Sequence, residues 1–287
     1  MQDFSIDGAT VALDGGTLEI LRNTLLDDTL ESENIYSLDL SPDTRTLVYQ
    51  YGFYYPDPGN VDIRLGLRTV RILNIDSCDD PGTGPCGFGD LDHAYELDRA
   101  IGTTSESVGF YFPTWGPLGE RIYVKKNFDD PVLGKFDALR YYDLEENWQT
   151  SEWPPTVVGM DTIISDFGWE GETITDYGWF MRISSGIMDG VEYLAISDQF
   201  SAKTGGCEGI FIVEAEDCLL NKNCTTEPEF AGDYPSFTKD GKLIHAYDGW
   251  EPHGGCHLRS VGAWDGSDNS LESLFTGYQP NAAGGVR

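Results

Sequence analysis

The chain has 287 residues, 40% hydrophobic and 13% aromatic, with 34 Gly and 14 Pro. That is enough apolar content for a large core, and it excludes global disorder. With 18 Lys+Arg against 49 Asp+Glu the formal charge is −31, a field that repels phosphate backbones and anionic membranes, so nucleic acid is excluded as a partner. No run of 18 apolar residues occurs, which excludes a membrane-spanning helix and direct membrane insertion. Abundant Gly, Pro and aromatics suggest short strands and many turns.

Taken in chain order, the same short pattern recurs: an apolar or aromatic residue, a tight turn, then an alternating β-rich run. It occurs at Phe4-Ser5-Ile6-Asp7-Gly8, Leu40-Ser41-Pro42-Asp43-Thr44 and Trp115-Gly116-Pro117-Leu118-Gly119. A weaker copy is Ile187-Met188-Asp189-Gly190, and Phe237-Thr238-Lys239-Asp240-Gly241 completes the set. Each predicts a hairpin. A third strand is predicted after each: residues 17–21, 67–75, 138–144, 209–214 and 257–263. Two intervals exceed the roughly 40–50 residues of a four-stranded unit, so insertions are expected within 59–98 and 161–176. Residues 18–30 are the best helix candidate, a weak one. Met1-Gln2-Asp3 lacks the basic start and apolar stretch of a signal peptide, so an exported form is expected to be read here without its leader.

Six cysteines bear on the compartment. Cys78 and Cys86 flank a Pro/Gly-rich segment, and Cys218 and Cys224 flank another short one. Both read as loops stapled by disulfides, which implies an oxidising compartment: secreted, cell-surface or periplasmic. Cys207 and Cys256 each follow Gly-Gly at equivalent repeat positions, so neighbouring units are expected to bond them. Without Cys-x-x-Cys, zinc is disfavoured.

The turn copies resemble the TolB-like (WD40-like, PD40) propeller repeat. Pro235-Ser236-Phe237-Thr238-Lys239-Asp240-Gly241 is the nearest match, and Ser41-Pro42-Asp43 keeps the turn with Thr44 in the glycine place. The resemblance implies an all-β propeller of four-stranded blades spanning 1–287. Five blades are favoured, with residues 277–282 lending an innermost strand to the first blade. Six to eight follow if the chain is a segment of a larger exported protein.

Candidate sites are sparse. Asp79, Asp80, Asp90 and Asp92 offer hard oxygen ligands suited to calcium; a solvated acidic loop fits them equally. Tyr51, Phe53, Tyr54 and Tyr55 read as an aromatic loop able to bind a protein or glycan partner, and Trp148, Trp153, Trp169 and Trp179 as further surface aromatics. His245, His253 and His257 lie close in sequence, without spacing that implies convergence on a metal. No nucleophile elbow, phosphate loop or catalytic triad stands in a convincing context. The expected function is a non-catalytic interaction module for a protein or glycan. The alternative is a carbohydrate-active lyase or hydrolase with its site on the propeller axis.

Overall fold

A computed structural model describes residues 10–13, 16–19, 32–57, 60–75, 94–103, 109–130, 134–146, 148, 153–163, 180–201, 207–222, 224, 230–231, 233–238, 240–250, 256–264, 266 and 272–276. The chain divides into two compact units, Met1–Phe110 and Tyr111–Arg287. Strands dominate both, in antiparallel four-stranded sheets that follow one another in sequence. This is a propeller-like all-β fold.

The first unit opens with a hairpin of β1 (Thr10–Leu13) and β2 (Gly16–Glu19). Sheet I follows, from β3 (Ser32–Leu40), β4 (Thr46–Asp57), β5 (Asn60–Asn74) and β6 (Ala94–Thr103), paired in that order. The insertion expected over 59–98 is therefore narrower, because β5 and the start of β6 lie inside it.

The second unit holds three such sheets, apart from Gly109 and Phe110 at the start of the first of them. Sheet II comprises β7 (Gly109–Trp115), β8 (Arg121–Asp130), β9 (Gly134–Leu144) and β10 (Val157–Ile163). Sheet III comprises β11 (Phe180–Met188), β12 (Val191–Ser201), β13 (Cys207–Glu214) and β14 (Phe230–Ala231). Sheet IV comprises β15 (Asp233–Phe237), β16 (Leu243–Trp250), β17 (Cys256–Trp264) and β18 (Glu272–Thr276). Each of the last four predicted third strands is the third strand of its sheet, and residues 17–19 fall in β2.

Sheet III is covered on both faces, so apolar residues stand at consecutive positions in the middle of β12 and β13 rather than only at alternate ones. Leu194-Ala195-Ile196 of β12 shows how the pleat divides the work. Leu194 and Ile196 face sheet II, joining Ile183 and Val213 against Tyr123, Leu139 and Ile163. Ala195 faces sheet IV, joining Met188, Ile210 and Ile212 against Phe237 and Leu243. Each large side chain buried this way contributes roughly 1.5–3 kcal/mol.

One helix occurs among the described residues, α1 (Ala215–Asn221). It corrects the expectation of a loop between Cys218 and Cys224. Cys218, Leu219 and Ala215 face the core beside Val213, and that burial holds seven residues helical where propensity would not. Lys222 ends the helix in the left-handed conformation, and the Cys218–Cys224 disulfide closes the turn that follows.

The repeated turns share one geometry. In residues 41–44, 116–119 and 238–241 the fourth residue's N–H donates to the first residue's carbonyl, at 2.8, 2.9 and 3.0 Å. That fourth residue has positive φ in all three: Thr44 at 65°, Gly119 at 76° and Gly241 at 82°. A hydroxyl–carboxylate pair supports two of them, Ser41 Oγ donating to Asp43 Oδ1 at 2.5 Å and Thr238 Oγ1 to Asp240 Oδ1 at 2.6 Å. The weaker copy is a two-residue turn instead, with Asp189 at 49° and Gly190 at 82°, the hairpin form that needs two positive φ angles.

These turns respond differently to substitution. Thr44→Gly removes a left-handed β-branched residue and is expected to stabilise by about 0.5–1 kcal/mol. A Cβ on Gly190 meets nothing within 4 Å, whereas one on Gly241 would lie 2.6 Å from the Ile187 carbonyl oxygen. Gly190→Ala should therefore cost about 1–2 kcal/mol and Gly241→Ala clearly more, read from denaturant midpoints; equal costs would contradict the turn geometry.

Candidate functional site

The first strands of sheets II, III and IV are tied to one another by side chains of β11. Ser185 Oγ donates to the Trp115 carbonyl of β7 at 2.6 Å. On the opposite pleat, the Phe237 N–H of β15 donates to Ser184 Oγ at 3.2 Å. All four residues are buried.

Along these edges the three strands bring together Phe112, Arg182 and Tyr234, one from each sheet. The Arg182 guanidinium lies over the Tyr234 ring at 3.4 Å from its centroid and over the Phe112 ring at 4.9 Å. All three side chains are half-buried. Both aromatic residues have positive φ, 52° for Phe112 and 57° for Tyr234. A bulky residue in that region costs about 1 kcal/mol or more, and such strain gathers at functional sites. Tyr234 sits in a register shift of β15 against β16, and Arg182 follows one in β11 against β12. Bulges re-aim side chains, and here they accompany two members of the stack, Arg182 and Tyr234.

This stack was not anticipated from sequence, although a signal exists. Phe112-Pro113-Thr114-Trp115 and Tyr234-Pro235-Ser236-Phe237 share an aromatic–Pro–hydroxyl–aromatic form just before the turn. The final aromatic enters the core, where Trp115 is fully buried and stacks on Trp148 at 5.5 Å. The first aromatic holds Arg182.

A second polar group lies between sheets II and III. Tyr123 Oη on β8 donates to Glu192 Oε1 on β12 at 2.8 Å. Arg121 Nε donates to Asp143 Oδ1 on β9 at 2.5 Å, and its guanidinium lies over the rings of Tyr141 and Tyr123 at 5.3 and 6.0 Å. Burial, then the charge of Glu192, pushes the Tyr123 hydroxyl far above its ordinary range, so it remains a proton donor. Burial also raises the Glu192 carboxyl, against the Tyr123 hydrogen bond and the Arg121 charge, with Asp143 adding to the rise. These groups satisfy one another across two sheets; their work is to join them.

The residues expected to bind partners fall elsewhere. The stretch Tyr51 to Tyr55 is not a loop but part of β4. Tyr51 is buried, at 1% exposure, under the Arg71 guanidinium at 4.1 Å, and Arg71 is paired in turn with Glu96 at 3.3 Å. The alternation of a strand that fills a core turned it inward, so the Tyr51 ring is not presented to a partner. Phe53, Tyr54 and Tyr55 continue the same strand. Trp148 is buried too, its Nε1 donating to the Gly119 carbonyl at 2.7 Å. The calcium candidates Asp79, Asp80, Asp90 and Asp92 lie outside the described residues, as do Cys78 and Cys86. Cys207 begins β13 and Cys256 begins β17, the third strands of successive sheets. His245 pairs in register with Gly262 and His257 with Gly249, so the two histidines are not cross-strand neighbours. Among the described residues no group of three His, Cys, Asp or Glu is placed to hold a metal, and no helix is long and apolar enough to cross a membrane.

Glu192 provides a test. A carboxyl whose folded-state pKa is raised contributes stability that is present at low pH and lost as pH rises through the folded value. Glu192→Gln keeps an acceptor for Tyr123 and removes the buried charge. It should melt above the unsubstituted protein at neutral pH, and the gap should close as pH falls through the carboxyl range. A gap that is absent, or widens in acid, would contradict the assignment.

No family model matches the chain, and no curated protein matches it. Among solved structures it is similar to a puromycin-hydrolysing peptidase of Mycobacterium tuberculosis, at 12% identity over 93% of this chain and 42% of that one, with TM-score 0.45. It is also similar to an ACO/RPE65 chimera, at 10% identity over 90% of this chain and 53% of that one, with TM-score 0.41. The chain thus spans about half or less of the length of these two structures.

Proposed function

We propose that the chain is an exported, non-catalytic propeller of TolB-like blades that binds a glycan through the edges of its first strands. The Phe112–Arg182–Tyr234 stack is the observation that carries this reading. In a propeller such edges surround the central channel, the usual place for a ligand. Aromatic rings and a guanidinium bind by stacking and hydrogen bonding, without the paired carboxylates that glycoside hydrolysis uses. Tyr123, whose hydroxyl is pushed far above its ordinary range, and Glu192, whose carboxyl is raised, are joined to each other between sheets II and III, where they serve packing. The Cys218–Cys224 disulfide fits an oxidising compartment.

A glycan array run beside a polysaccharide-cleavage assay tests the reading. The expected result is retention of a defined glycan set with no shortening of any polymer, and loss of about tenfold or more in affinity for Tyr234→Ala, as for aromatic anchors generally. Cleavage products would favour the lyase or hydrolase instead. Unchanged glycan binding by Tyr234→Ala would move the site away from this edge.

A further inference from the structure

We propose that Met160 is a site of reversible oxidation by peroxides, and that Arg140 holds the oxygen it gains. This goes beyond the glycan-binding reading and does not rest on it. Met160 and Arg140 lie on one face of the last strand pair of sheet II. Tyr142 of β9 stands opposite Met160 of β10 in register, and Arg140 stands opposite Thr162. Met160 is 54% exposed, so a dissolved oxidant reaches its side chain. Met188, by contrast, is 9% exposed and packs in the core between sheets III and IV.

The chemistry is a two-electron oxygen transfer. A sulfur lone pair attacks one oxygen of hydrogen peroxide, and the S–O bond forms as the O–O bond breaks. The departing hydroxide takes the proton of the transferred oxygen and leaves as water. The thioether is oxidised to a sulfoxide and the peroxide is reduced.

Arg140 governs what becomes of the product. Its Nε donates to Tyr142 Oη at 3.1 Å and its Nη1 to Thr162 Oγ1 at 2.6 Å, which fixes the guanidinium plane. Its Nη2 donates to Met160 Sδ at 2.7 Å. A thioether sulfur is a weak acceptor. A sulfoxide oxygen is a much stronger one, and it forms on the atom that Nη2 already faces. Oxidation thus exchanges a weak contact for a charge-assisted hydrogen bond. It does so on an exposed side chain, where the added polarity disrupts no core.

Peroxide treatment followed by peptide mapping and denaturant unfolding tests the proposal. Met160 should oxidise about tenfold or more faster than Met188, because susceptibility follows exposure. Methionine sulfoxide reductases should return it to its starting mass. Oxidation should lower the unfolding equilibrium constant of the parent about threefold or more relative to its effect in Arg140→Ala. Met160→Leu, treated alongside, supplies the background from the other methionines. Met160→Gln, whose amide oxygen imitates the sulfoxide, should show the same coupling to Arg140 without oxidant, and it decides the point where peroxide precipitates a sample. Oxidation of Met188 as fast as Met160 would overturn the site. Equal effects in the parent and Arg140→Ala would overturn the role of Arg140. A product that the reductases do not reverse would overturn its reversibility.

Discussion

The contact on which the second unit depends is the seating of Phe237 against Gly186. A Cβ added at Gly186 would lie 2.2 Å from Phe237 Cγ and 2.4 Å from its Cβ. The glycine is there because the ring occupies the space a side chain would need. That close approach brings β15 against β11, and the Phe237 N–H then reaches Ser184 Oγ. The same ring continues the core of Met188, Ala195, Ile210, Ile212 and Leu243. Sheet III meets sheet II differently, through the Tyr123, Leu139 and Ile163 side chains and the Tyr123–Glu192 bond. One face is closed by a ring in a glycine hollow, the other by apolar packing with a polar seam.

The candidate site follows from that packing. β11 is held on one side by Ser185 at Trp115 and on the other by Ser184 at Phe237. With three first strands fixed in this way, side chains a few residues before the turn have little choice of neighbour. Phe112 and Tyr234 adopt left-handed backbone and close over Arg182. The strain at these residues is tolerated because Trp115 and Phe237, three residues later, anchor each strand in the core.

Much of the fold was legible in the sequence because hairpin turns have local chemistry. Ser41-Pro42-Asp43 and Thr238-Lys239-Asp240-Gly241 signal their turns through hydroxyl, carboxylate and glycine alone, and strand positions follow from them. The site was less legible. Arg182 meets Tyr234 only through the contact of separate sheets, which no sequence spacing reports. The reading of Tyr51 to Tyr55 as a loop gave way to strand β4 for a related reason. An aromatic run looks alike whether it faces a partner or fills a core, and β4 draws Tyr51 inward beneath Arg71. Helix α1 was missed because seven residues carry too little periodicity, and its burial against Val213 is a tertiary effect.

A double-mutant cycle at Gly186 and Phe237 tests the central packing most directly. Gly186→Ala should destabilise strongly, since the new methyl has nowhere to go. Phe237→Ala alone should also destabilise, by emptying a buried site. Together they should cost less than the sum, because Ala removes Cγ, the nearest atom the methyl would meet, and the ring with it, with a coupling energy of about 1 kcal/mol or more in denaturant unfolding. Additive effects, or a tolerated Gly186→Ala, would contradict the seating of sheet IV on sheet III.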